Sequence, residues 1–158
     1  MCGICGIYGG NDKDLILKMV RVLKHRSPDG NGYYADSDCA MGHARLSIND
    51  LTKNGAQPMC NETEDLWLSI NGEIYNFKEL RRLLEKKGHQ FKSNSDSEVA
   101  LHSYEEYGVS FLHSLHGMYA LALYDQSNKR LILARDPIGK KPLYYAATEN
   151  GELIFASK

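Results

Sequence analysis

Apolar and small residues alternate over residues 2–8 and stop at Gly9-Gly10-Asn11, the pattern of a buried first strand closed by a breaker. The period then changes. Leu15/Ile16, Met19/Val20 and Val22/Leu23 recur at helical spacing, so a helix is expected to about Leu23, capped by Asp12 or Asp14. Residues 25–30 form a loop with a Pro-Asp-Gly turn, 33–35 and 40–44 read as short strands, and 49–63 is polar and turn-rich. A strand over 66–70 is expected to end at Asn71-Gly72. Residues 77–87 predict an amphipathic helix with Leu80, Leu83 and Leu84 inward, stopped by Gly88. Ser95-x-x-Glu98 matches a capping box, opening a helix to about Tyr107 that ends at Gly108. After a short helix over 111–115, two hairpins close the pattern, 118–124 with 130–134 and 143–147 with 153–156.

Helices fall mostly in the first two-thirds and antiparallel hairpins in the last, which argues an α+β fold rather than an alternating parallel one. With 158 residues the chain is expected to form a single domain, 1–158, large enough for a real core. No G-x-G-x-x-G or phosphate loop is present, so no nucleotide site is expected. Apolar content of 42%, charged content of 25% and a formal charge of −1 give no reason to expect a nucleic-acid or membrane partner. No run approaches the ~18 apolar residues of a membrane span, and no basic, then apolar, leader opens the chain. A cytoplasmic protein is expected.

The chemistry concentrates at Met1-Cys2-Gly3-Ile4. Removal of Met1 would leave a residue carrying both a thiol nucleophile and an α-amine titrating near pH 8, one residue supplying nucleophile and base. The competing reading is a small buried strand residue. Cys2-x-x-Cys5 has the spacing of half a zinc site, but Cys39 and Cys60 supply no second half, and strand positions three apart face opposite sides. The six histidines show no paired ligand spacing, and neither metal nor cofactor is expected. Free thiols fit a reducing compartment.

Seven stretches then recur in order: Met1-Cys2-Gly3-Ile4, residues 25–30 (His-Arg-Ser-Pro-Asp-Gly), 43–48 (His-Ala-Arg-Leu-Ser-Ile), 55–59 (Gly-Ala-Gln-Pro-Met), 71–76 (Asn-Gly-Glu-Ile-Tyr-Asn), 95–98 (Ser-Asp-Ser-Glu) and 135–145 (Arg-Asp-Pro-Ile-Gly-Lys-Lys-Pro-Leu-Tyr-Tyr). With them the chain resembles the glutaminase domain of asparagine synthetases and related class II glutamine amidotransferases, nearly end to end. The resemblance implies a four-layer αββα sandwich of two antiparallel sheets between helices. It implies that Cys2 attacks the side-chain carboxamide of L-glutamine through a thioester, with its α-amine as base. The Asn71 side chain and the Gly72 backbone N–H would hold the oxyanion, glycine letting backbone approach the ligand. Arg45 would take the α-carboxylate in a fork that Lys cannot match, and Asp96 with Glu73 the α-ammonium.

The resemblance also implies a partner, either a synthetase domain or a separate protein accepting ammonia, with ATP and Mg needed only in that synthetase part. Self-association is left open. Ser27 departs from the family's usual Gly, and Lys158 from its usual Glu. Arg135 and Asp136 read as structural. Three other readings compete: a silent glutamine-binding or regulatory module, the glutaminase domain of another amidotransferase, and an N-terminal-nucleophile acylase or peptidase.

Overall fold

A computed structural model describes residues 2–26, 29–46, 50 and 52–158, without the side chain of Arg26. The expectations placed on Met1 and Ser27 lie outside these residues. Strand β1 (Gly3–Tyr8) leads into helix α1 (Lys13–Leu23), whose cap is Asp12: its carboxylate accepts the Leu15 N–H at 2.9 Å. Strands β2 (Gly30–Ala35) and β3 (Cys39–Arg45) follow, then the short β4 (Met59–Cys60), which the polar sequence there conceals. Strand β5 (Leu66–Ile74) precedes helices α2 (Phe77–Lys86) and α3 (Glu98–Tyr107). The hairpins are β6 (Gly117–Asp125) with β7 (Arg130–Arg135), and β8 (Tyr144–Ala147) with β9 (Leu153–Ala156).

The strands form two antiparallel sheets, ordered β2-β3-β1-β9-β8 and β4-β5-β6-β7. Alternation decides what each face buries. In β1 and β3, Cys5, Ile7, Ala40 and Ala44 face α1, packing with its Ile16, Val20 and Leu23. On the second sheet, Leu68, Ile70, Ile74, Tyr119, Leu121 and Leu123 face α2 and α3. Between the sheets lie Cys39, Met41, Ala122, Tyr124 and Phe155, flanked by Tyr8, Tyr34 and Trp67. Helix, sheet, sheet, helices: the four-layer α+β sandwich is present.

The two sheets close over a specific fit. A Cβ on Gly6 would lie 2.2 Å from the Phe155 ring, so β1 lacks a side chain where β9 inserts one. The strand β9 runs beside β1, and Ser157 continues the clasp: its N–H donates to Ile4 O at 2.9 Å and its hydroxyl accepts the Ile4 N–H at 3.0 Å.

Three local expectations are corrected. Strand β5 does not end at Asn71-Gly72; it continues to Ile74, paired residue for residue with β6, because the partner strand satisfies its backbone. Leu83 does not turn inward but is 46% exposed, while Leu80 and Leu84 alone of the three fill the core. Ser95 and Glu98 do not form a capping box. Glu98 instead accepts the N–H groups of Lys92 and Ser93, at 2.7 and 2.8 Å, and ties down the loop before α3.

Phe155→Ala should remove about 3–5 kcal/mol of stability, since it empties the inter-sheet fit opposite Gly6. Urea denaturation measures this, and an unchanged midpoint would show that the ring does not hold the sheets together.

Candidate active site

The gap between the sheets is filled by aromatic rings at one end and opens at the other. Gly3 pairs with Ala44, and the antiparallel register carried one residue further sets Cys2 opposite Arg45. By strand alternation both belong to the face that looks at the second sheet. On β5 the residues facing back are Trp67, Ser69, Asn71 and Glu73, by the same alternation that gives Leu68, Ile70 and Ile74 to the helices. The last two therefore meet Cys2 and Arg45 across the mouth of the gap. Cys2, Arg45, Asn71, Gly72, Glu73 and Asp96 all line one pocket there. Every site residue expected from sequence is in it.

Cys2 is half-buried, and its sulfur receives the Leu46 N–H at 3.4 Å. Asn71 is 1% exposed, and its side-chain Nδ2 has no hydrogen-bond partner among the described residues. A buried NH₂ left unpaired costs about 1–3 kcal/mol, a cost relieved when an oxygen enters the pocket.

The backbone beside it is prepared in a second way. Backbone N–H groups alternate in direction along a strand. Those of Ile70 and Ile74 point away from β6 and are accepted by side chains, Gln57 Oε1 and Asp96 Oδ2, each at 2.7 Å. Gly72 lies between them, so its N–H points the same way, into the pocket it lines. Glycine at 72 also answers a packing demand: a Cβ there would sit 2.2 Å from Met118 O, so the close neighbouring strand excludes a side chain.

Arg45 is held by the loop it faces. Its guanidinium donates to Thr52 O at 2.9 Å and to Asp50 O. Asp50 is itself buried, accepting from the Thr52 hydroxyl and from the Thr52 and Asn94 N–H groups, which hold its carboxyl below the usual range. His43 lies beneath the site with Nε2 3.3 Å from Ile70 O. Burial drives its pKa down to about 4, so it brings no charge. Sequence reasoning had matched Gln57 without giving it a task, and had not considered Asp50. Their signals are contacts across the fold, which no local spacing carries. Among the described residues the Arg135 and Asp136 side chains bond backbone groups, the former donating to Gly139 O and Lys141 O, the latter accepting from Tyr119, Lys140 and Lys141 N–H.

A family model described as a glutamine amidotransferase domain matches residues 1–158, the stretch that supplies this cysteine, amide donor and strand N–H. The chain belongs to this glutamine amidotransferase family. It is 41% identical to asparagine synthetase [glutamine-hydrolyzing] 1 of Bacillus subtilis and 44% identical to asparagine synthetase [glutamine-hydrolyzing] 3 of Arabidopsis thaliana. Both alignments cover 100% of this chain but only 26% and 28% of the relatives. The fold is shared with a glutamine phosphoribosylpyrophosphate amidotransferase of B. subtilis, at a TM-score of 0.82 and 24% identity over 99% of this chain and 42% of that one. The match makes this a glutamine amidotransferase domain, with Cys2 second in the chain.

The four thiols are unpaired but differ in setting. Burial pushes the Cys5 thiol up to about 12 and raises Cys39 as well, leaving both neutral. Iodoacetamide at pH 7.5 should therefore label Cys2 well before Cys5 or Cys39 in the native protein, with peptide mass mapping as the readout. Early labelling of Cys5 would contradict this burial.

Proposed function

We propose that the chain hydrolyses L-glutamine to glutamate and ammonia, and that the ammonia feeds asparagine synthesis as in the relatives it resembles. What carries the reading is the unpaired Asn71 Nδ2, buried beside the Gly72 N–H at the pocket that Cys2 enters. Two fixed donors aimed at one point suit the oxygen of a carbonyl that becomes an oxyanion.

In this reading the Cys2 thiol gives its proton to the α-amine, and sulfur attacks the carboxamide carbon. Charge collects on the oxygen between Asn71 and Gly72. The amine passes its proton to the amide nitrogen, the C–N bond breaks, and ammonia leaves a γ-glutamyl thioester. Water then attacks the thioester, releasing glutamate and restoring the thiol. The amine exists only once Met1 is removed. Nucleophile, base and oxyanion donors are all protein groups, so this half-reaction calls for no cofactor.

Arg45 takes the substrate α-carboxylate, while Asp96 and Glu73 face the α-ammonium. Arg45 reaches the carboxylate from a guanidinium already steadied by Asp50 and Thr52, which limits the rotamer entropy lost on binding. Its planar fork is what a carboxylate needs.

Two further parts of the reading concern surroundings. The ammonia acceptor is a synthetase domain or separate partner, where ATP and Mg would act. No helix among the described residues is long and apolar enough to cross a membrane, and the free thiols suit a cytoplasmic setting.

Glutamate release from L-glutamine tests the reaction, with intact mass recording the state of Met1. Processed wild type should turn over and Cys2→Ala should not; equal turnover by Cys2→Ala would overturn the proposal. Asn71→Ala should lower kcat by roughly 10²–10³-fold. Arg45→Lys should act mainly on KM, and an unchanged KM would remove Arg45 from substrate binding.

A further inference from the structure

A second cluster lies away from this pocket, where the loop after α2 meets the far turns of α3. His89 comes from that loop, and His102 and Glu105 come from α3. One nitrogen of each histidine and one oxygen of Glu105 all lie within 4.8 Å of one another. Both histidines turn Nδ1 to the same atom: Glu105 Oε2 is 2.6 Å from His102 Nδ1 and 3.5 Å from His89 Nδ1.

The surroundings are ordered as well. The remaining nitrogen of each ring faces its own carboxylate, His102 Nε2 with Glu98 Oε1 at 3.5 Å and His89 Nε2 with Glu106 Oε2 at 3.2 Å. Asn61 Nδ2 donates to the other oxygen of Glu105 at 2.8 Å. His102 is 1% exposed, its Nε2 has no hydrogen-bond partner among the described residues, and the Phe91 ring packs edge-on against it.

We propose that His89, His102 and Glu105 form a zinc-binding site that ties the loop after α2 to α3. Two imidazoles and one carboxylate suit zinc among the biological divalent cations, and water would complete a tetrahedron. Ligand atoms around tetrahedral zinc stand about 3.4 Å apart, given bonds of ~2.1 Å. The His89–Glu105 spacing already meets this. The shorter His102–Glu105 spacing is that of a hydrogen bond, and the proton His102 donates there is what the cation replaces. Each coordinating imidazole then keeps a carboxylate behind it, the arrangement that fixes tautomer and ring orientation in metal sites.

The charges facing the cluster agree. Glu62, Glu98, Glu105 and Glu106 surround the histidines, with Lys87 bound to Glu106. None of His89, His102 and Glu105 lines the pocket that Asp96 lines, so the site's role is to brace the helix rather than to join the glutamine chemistry.

Isothermal titration of the metal-free protein with zinc chloride at pH 7.5 tests the site, run beside Cys2→Ala to remove the half-buried thiol. One zinc per chain is expected in both, with a rise in Tm. His89→Ala, at a half-buried position that does not threaten folding, should weaken binding at least tenfold and abolish the rise. Glu106→Gln should weaken it about 10–100-fold. Absence of stoichiometric binding, or binding that His89→Ala leaves unchanged, would overturn the proposal.

Discussion

The site depends on how the free edge of β5 is sealed. Among the described residues this strand has no neighbouring strand on one side beyond the short β4, and its outward N–H groups would need water or some substitute. Gln57 and Asp96 accept those of Ile70 and Ile74. The edge is thereby fixed without a further strand, and the N–H between them stays directed at the pocket. One arrangement satisfies the strand and leaves a donor for chemistry.

That constraint reaches outward. Gln57 also donates to Ser97 Oγ at 3.3 Å, so the residue holding Ile70 is tied to the start of α3. Asp96 joins the same helix entrance to Ile74. Loop, strand and helix are coupled through short side chains, and small displacements of any one would misplace Asn71 or Gly72. Arg45 is positioned by the same principle, its guanidinium set on the carbonyls of Asp50 and Thr52.

Much of this was legible in the sequence, for a physical reason. Period-2 and period-3.6 patterns report which face of an element is buried, and they placed β1, α1, α2 and both late hairpins, while Gly108 marked the end of α3. The ordered motifs named Cys2, Arg45, Asn71, Gly72, Glu73 and Asp96, and all six line the pocket. What failed was local chemistry overruled by tertiary pairing. Asn71-Gly72 reads as a turn because both residues favour turns, yet β6 holds them extended. Ser95 and Glu98 carry the letters of a capping box, but the carboxylate finds better donors at Lys92 and Ser93. The partnership of Gln57 with Ile70, and of His89 with His102, belongs to the fold and leaves no spacing to read.

Strand β9 lies between β1 and β8, and its Phe155 fills the hollow under Gly6. A strand at residues 3–8 thus needs one at residues 153–156 before its sheet can close. Without Leu153–Ala156, β1 is paired on one side only, by β3, and the hollow under Gly6 stays unfilled. The order of the strands therefore ties the strand behind the nucleophile to a segment remote in sequence, so the sheet is closed by a long-range contact.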